Sequence, residues 1–157
     1  MTFALAPMGP SLVQINISPG GMPKRPIASA RVTAAGVEGD RQIHLQVHGG
    51  PDRAVCLYSE ELYQQFGEAG IPIRAGDIGE NFTTCGLDLL ALSPGDRLAV
   101  GACQIQLTRI RVPCKQLNQW HPDLFEQIQG RSGWLARVLV EGVVRPGDAI
   151  TLLSPRA

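Results

Sequence analysis

From residue 11 to residue 17 apolar side chains recur on a short period, with Leu12, Val13, Ile15 and Ile17 set among polar neighbours, and the run stops at Pro19-Gly20-Gly21. A period near two predicts a strand with one buried face, and the Pro-Gly-Gly cluster predicts the turn that ends it. The same reasoning predicts extended segments over 27–33, 54–58, 80–84, 98–100, 104–109, 135–140 and 150–153. In the strictly alternating 104–109 segment Ile105 and Leu107 share a face, while Arg137 falls on the polar face of 135–140. Ser93-Pro94-Gly95-Asp96 and Arg145-Pro146-Gly147-Asp148 repeat one turn chemistry ahead of two of these strands.

Helical spacing is confined to two places. Leu62, Tyr63, Phe66 and Ala69 lie on one face, Ser59 supplies an N-cap with Glu60 and Glu61 in the first turn, and Gly70 ends the run, so a core-packing helix is predicted over 59–69. A second, short helix is predicted over 122–129 from Pro122, Leu124, Phe125 and Ile128. The expected fold is a single domain over 1–157, mainly β, its strands closed or partly closed into a barrel with a few short helices.

Composition supports this picture and narrows the function. The 157 residues are 44% hydrophobic and 18% charged, with 18 glycines and 12 prolines, as suits many short strands joined by turns. Lys plus Arg and Asp plus Glu are both 14, so no global basic field exists to hold a nucleic-acid polymer, and a bound anion is expected to be small. Cys56, Cys85, Cys103 and Cys114 form no C-x-x-C pair and no zinc-ligand spacing with histidine, which fits reduced thiols in a cytoplasmic protein. The opening residues lack a basic leader, and no apolar run is as long as a membrane span.

Thr108-Arg109-Ile110-Arg111-Val112-Pro113-Cys114-Lys115 sets one thiol among three fixed positive charges. Such a neighbourhood favours the thiolate, the form that attacks electrophiles and binds metals. Pro113 ends the preceding strand and leaves Cys114 on a loop that solvent or a ligand reaches; the alternative is a small buried hydrophobe. Glycine-rich loops at 36–41 and 47–53 are further site candidates. In the second, Gly49 and Gly50 let backbone amides approach a ligand and Arg53 offers a planar fork for phosphate or carboxylate, while His48 reads equally as a turn residue or a ligand contact. Glu80 and Asn81, where a loop meets a strand, either hold a ligand or cap a turn. Cys85, without charged neighbours, reads as structural.

In order along the chain, Gly39-Asp40-Arg41, His48-Gly49-Gly50-Pro51-Asp52-Arg53-Ala54-Val55, Gly79-Glu80-Asn81, Gly95-Asp96, Arg111-Val112-Pro113-Cys114 and Gly130-Arg131-Ser132-Gly133-Trp134, with Gly142 and Gly147-Asp148, resemble the MOSC family, named for the C-terminal domain of molybdenum cofactor sulfurase. The likeness spans about residues 14–153 and is closest to the small stand-alone bacterial members. It implies a mostly β, barrel-like domain that binds the molybdenum cofactor (molybdopterin), with Cys114, in the Arg-x-Pro-Cys pattern, as metal ligand and catalytic residue. His48, Gly49, Gly50, Arg53, Glu80, Asn81, Arg109, Arg111 and Lys115 become the candidate cofactor-binding set, expected with Cys114 around one cavity. The implied activity is an oxidoreductase that removes oxygen from a small N-hydroxylated substrate, such as a hydroxylamino base analogue. Its electrons would come from a separate reductase, since the chain shows no flavin or nicotinamide fingerprint. A persulfide sulfur carrier built on Cys114 and a non-catalytic anion-binding barrel are the alternatives.

Overall fold

In the computed structural model, residues 9–41 and 51–153 are described, and they hold eleven strands and two α-helices. The strands are β1 (Ser11–Ile17), β2 (Arg25–Ile27), β3 (Ala30–Thr33), β4 (Gly36–Val37), β5 (Val55–Ser59), β6 (Phe82–Cys85), β7 (Arg97–Val100), β8 (Cys103–Ile110), β9 (Trp134–Val140), β10 (Gly142–Val144) and β11 (Ile150–Leu152); the helices are α1 (Glu60–Glu68) and α2 (Leu124–Gln127). Eight strands form one sheet in the order β11-β7-β8-β9-β5-β6-β1-β2, and β10-β3-β4 form a second. The expectation of a mainly β domain with short helices is met.

Among the described residues the large sheet does not close into a barrel. Along β1, one edge pairs with β6, and the other is divided between β2, at residues 15–17, and a single bridge from Ser11 to Ala149 just before β11. Leu12 N–H donates to Asp148 O at 2.8 Å and Gly147 N–H to Leu12 O at 2.7 Å, so the approach to β11 meets β1 at one corner only. With β2 on the rest of that edge, no continuous ladder between β1 and β11 forms.

Three local expectations are corrected. The segment read as one strand over 27–33 is two strands, β2 and β3, broken at Ala28-Ser29 and sent to different sheets. Pro26 in β2 is tolerated because β2 is an edge strand, where a missing N–H breaks no ladder. The 36–41 loop begins with β4, whose Val37 pairs with Val32. Ala69 lies beyond α1 and is exposed, whereas Leu62, Tyr63 and Phe66 are buried as expected. Ser59 caps α1 through a bond from Leu62 N–H to Ser59 Oγ of 3.0 Å, and both Pro-Gly-Asp turns close through the Asp side chain, onto Ser93 N–H and Arg145 N–H.

The register sorts the large sheet into two faces. Ile110, Trp134, Leu57, Phe82, Ile15 and Ile27 form one transverse row, and Trp134, Leu57, Phe82 and Ile15 belong to the main core. One residue away, Arg109, Leu135, Cys56, Asn81 and Asn16 form the next row, aimed at the opposite face. That face is covered by α1, the 71–80 connection and the segment after β8, whose Phe66, Ile71, Ile78, Leu117 and Leu124 make a second apolar cluster with Tyr58 of β5.

Candidate functional site

Polar residues on the covered face are consumed by one another. Asn81 is fully buried; its Oδ1 accepts from Cys56 N–H at 3.0 Å and its Nδ2 donates to Asp40 Oδ2 at 2.9 Å and to Asn16 O at 3.3 Å. Asp40 forms an ion pair with Lys24 at 2.6 Å, both side chains 6% exposed, and accepts from Ser18 N–H at 3.0 Å. Asn16 Nδ2 donates to Thr83 Oγ1 at 3.1 Å, and Thr83 donates to Glu80 Oε2 at 2.9 Å. Glu80 also accepts from Tyr63 OH at 2.7 Å and from Gly76 N–H at 3.1 Å. A half-satisfied network in such a place would cost more than an apolar core; this one is bonded at every member named.

Glu80 and Asn81 therefore do not line open space, as expected of cofactor contacts; both are 0% exposed and hold backbone. Burial raises the Glu80 carboxyl above its usual range, with the bonds from Tyr63, Gly76 and Thr83 opposing the shift. Together they fix the 76–81 turn, where Gly79 at φ 89° has no side chain. A Cβ there would meet Arg111 Nη2 at an ordinary 3.4 Å, so the turn lies against the guanidinium and it is the positive φ that favours glycine. Arg111 also acts on Cys56: burial pushes that thiol up, and the Arg111 charge is the main influence opposing it.

Cys114 stands three residues beyond Arg111, half-buried, as the N-cap of a 3-10 turn over Lys115–Gln119. Its Sγ accepts only a weak bond, 3.5 Å from Gln116 N–H, while Leu117 anchors the turn in the second apolar cluster. Trp120 Nε1 donates to Asp77 O at 3.0 Å, tying the same segment to the 76–81 turn. On the other side, Ser132 Oγ donates to Arg111 O and Arg111 N–H donates to Gly133 O at 2.9 Å. Gly133 has φ 94°, and a Cβ on it would collide with Leu57 O, so only glycine allows this loop against β5.

The other thiols are occupied by packing. Cys56 and Cys103 are buried, Cys103 being pushed up to about 11 by burial, and Cys85 Sγ lies 3.2 Å from Ser11 Oγ. The structural reading of Cys85 agrees with that contact.

Among the expected cations, Arg109 is exposed and sits in register with Leu135 in the Cys56 row. Arg53 ends a 3-10 turn over Pro51–Arg53 that is pinned to β8 where Thr108 Oγ1 donates to Asp52 O at 2.6 Å. The turn that ends in Arg53 is thus held near the end of β8 that carries Arg109, and Lys115 is exposed beside Cys114. His48, Gly49 and Gly50 lie outside the described residues. Sequence reasoning missed Lys24, Asp40 as an ion-pair partner, and Cys56 as a neighbour of Arg111. Only Asp40 carried a signal, through its place in Gly39-Asp40-Arg41.

This arrangement defines a mainly β domain in which a half-exposed thiol follows Arg109 and Arg111 in the chain, beside a buried polar network. The description "MOSC domain" matches residues 44–151, and the chain belongs to that family. It is 37% identical to the protein YiiM of Escherichia coli over 132 residues, covering 78% of this chain and 58% of that protein. It is 37% identical to the uncharacterized protein YflK of Bacillus subtilis over 140 residues, covering 85% and 63%. A protein of Gibberella moniliformis named "Reductase" is 33% identical over 131 residues, or 78% of this chain and 23% of that one. The crystal structure of YiiM from Geobacillus stearothermophilus superposes with a TM-score of 0.78 at 32% identity, over 92% of this chain and 75% of that one. The chain thus spans about three-fifths of the length of the two bacterial relatives.

Proposed function

We propose that this MOSC domain binds the molybdenum cofactor with Cys114 as the protein ligand to the metal, and that it reduces small N-hydroxylated compounds with electrons from a separate reductase. The observation that carries the reading is the contrast among the four thiols: Cys56 and Cys103 are buried and Cys85 touches Ser11, whereas Cys114 is half-exposed with only one weak bond. A soft thiolate suits a high-valent molybdenum already held by the cofactor's dithiolene sulfurs, so the donor fits the group. When bound, the group supplies the redox-active metal at which an N–O bond is cut. Overall, substrate N–OH takes two electrons from the reductase and two protons, leaving N–H and water.

This chain's own residues do the holding. Arg53, Arg109, Arg111 and Lys115 offer cations to the anionic parts of cofactor or substrate, Arg as a planar fork and Lys as a point charge. His48, Gly49 and Gly50 complete the candidate set. Glu80 and Asn81 act one step back, by fixing the turn on which Arg111 rests. A relative named as a reductase supports the reaction class.

The experiment is Cys114→Ser on protein from cells that make molybdopterin, with Cys56→Ser, Cys85→Ser and Cys103→Ser alongside. Loss of molybdenum and of reductase-coupled turnover with Cys114→Ser, at a thermal midpoint within about 3 °C of the parent, is the expected result. Turnover at the parent rate would rule out Cys114 as ligand. Metal-free protein carrying a trappable Cys114 persulfide would favour sulfur transfer instead.

A further inference from the structure

Beside Trp120, β2 with its approach and the 71–77 connection form an open groove of about 570 Å³. Its apolar lining is stiff: Pro23, Pro72, the buried Ile73 and the indole of Trp120. Proline rings lack rotamer freedom, and the indole is oriented by its 3.0 Å bond to Asp77 O. The two walls are joined where Lys24 N–H donates to Gly76 O at 2.9 Å.

Arg25 and Arg74 stand on the rim, both exposed, and neither guanidinium has an ion pair or side-chain hydrogen bond among the described residues. The one acid in the lining, Asp77, is 8% exposed and turned to backbone, its Oδ2 accepting from Arg74 N–H at 2.9 Å. The groove thus combines a fixed aromatic face, rigid apolar walls and two uncommitted planar cations. A volume of this size is in the range of small-molecule sites.

We propose that this groove binds a phosphorylated planar heterocycle, of mononucleotide size, with the ring against Trp120 and the phosphate between Arg25 and Arg74. Stacking is indifferent to which heterocycle is offered, because every base has a π-face, so the anion and the ring together define the ligand class. Guanidinium groups grip phosphate through paired N–H donors, and their cationic faces also favour aromatic neighbours. The proposal does not rest on the Cys114 reading, since the groove uses none of the residues given a role there.

Calorimetric titration of the purified chain with AMP, adenosine and inorganic phosphate tests it. AMP is expected to bind at roughly millimolar concentration or better, and adenosine and phosphate each about tenfold or more weakly. Arg25→Gln/Arg74→Gln should lower AMP affinity by about tenfold, and Trp120→Leu by at least about fivefold, with both variants folded by circular dichroism. Cys114→Ser should bind AMP as the parent does, which separates failure here from failure of the metal site. Equal affinity for phosphate and AMP, an unchanged affinity in the double Arg variant, or no AMP binding would overturn the proposal.

Discussion

The two faces of the large sheet lie one residue apart along every central strand, yet they hold different chemistries. Leu57, Phe82 and Ile15 point into a core whose members need only size and shape. Cys56, Asn81 and Asn16, their immediate neighbours, point to a face where each polar atom needs a particular partner. The lesson is that the candidate site is not grafted onto loops alone. Its base is the second face of the strands that make the core, so a slip of one residue in register would exchange scaffold and site.

The largest effect is expected on the apolar face. Phe82→Ala removes a fully buried ring from the middle of the row and should cost about 4 kcal/mol by the usual transfer and cavity terms. Urea denaturation measures it. Any loss of Cys114 chemistry should then follow the unfolded fraction, because Phe82 does not face the site; loss in the fully folded variant would break the comparison.

On the polar face, Lys24→Met is the sharper probe. It keeps the stem's length but leaves Asp40 without its ion-pair partner at 6% exposure, and removal of one member of a buried pair costs about 3 kcal/mol. Unlike Phe82→Ala, it should disturb Asn81, and through it the 76–81 turn beneath Arg111, before global unfolding. Amide exchange at residues 76–81 well below the urea midpoint would show this, and uniform protection would argue against a separate polar unit.

Alternation made β1, β8 and β9 legible, as where Ile105 and Leu107 repeat on the buried face, and the two Pro-Gly-Asp turns marked the starts of β7 and β11. The small sheet was not legible. β4 has two residues and β10 three, too few for any period; β4 is defined only by folding back on β3, and β10 by pairing with β3 from a distant part of the chain. Barrel closure failed as an expectation because the competition between β2 and β11 for one edge of β1 is a tertiary matter that no strand's own sequence records. In the site, the cations around Cys114 and the loop-strand junction at Glu80 and Asn81 were legible, while the burial of Glu80 and Asn81, which favours the turn-holding one of their two readings, depends on partners distant in sequence. Lys24 and Asp40 are 16 residues apart and each reads alone as a surface charge; only folding brings them within 2.6 Å.

The smallest effect concerns Glu80 and depends on sign. Burial holds its folded-state pKa above the ordinary carboxylate value near 4.3, so the native state binds a proton more readily than the unfolded chain. Glu80 therefore imposes no penalty below the unfolded pKa, and its penalty grows as pH rises through the window up to the raised folded value. Glu80→Gln keeps an acceptor for Gly76 N–H and Thr83 Oγ1 but turns an amide toward Tyr63 OH, a rearrangement expected to cost about 1 kcal/mol. Because the variant cannot ionise there, the parent's advantage over it should be greatest at the acid end and shrink as pH increases. Paired urea titrations from about pH 4 to about pH 8 isolate this term, since the other carboxylates are common to both proteins. A gap that widened with pH would mean that the bonds from Tyr63, Gly76 and Thr83 outweigh desolvation. The polar face would then be a stabilising anion cradle, and its contrast with the apolar face would narrow to one of shape.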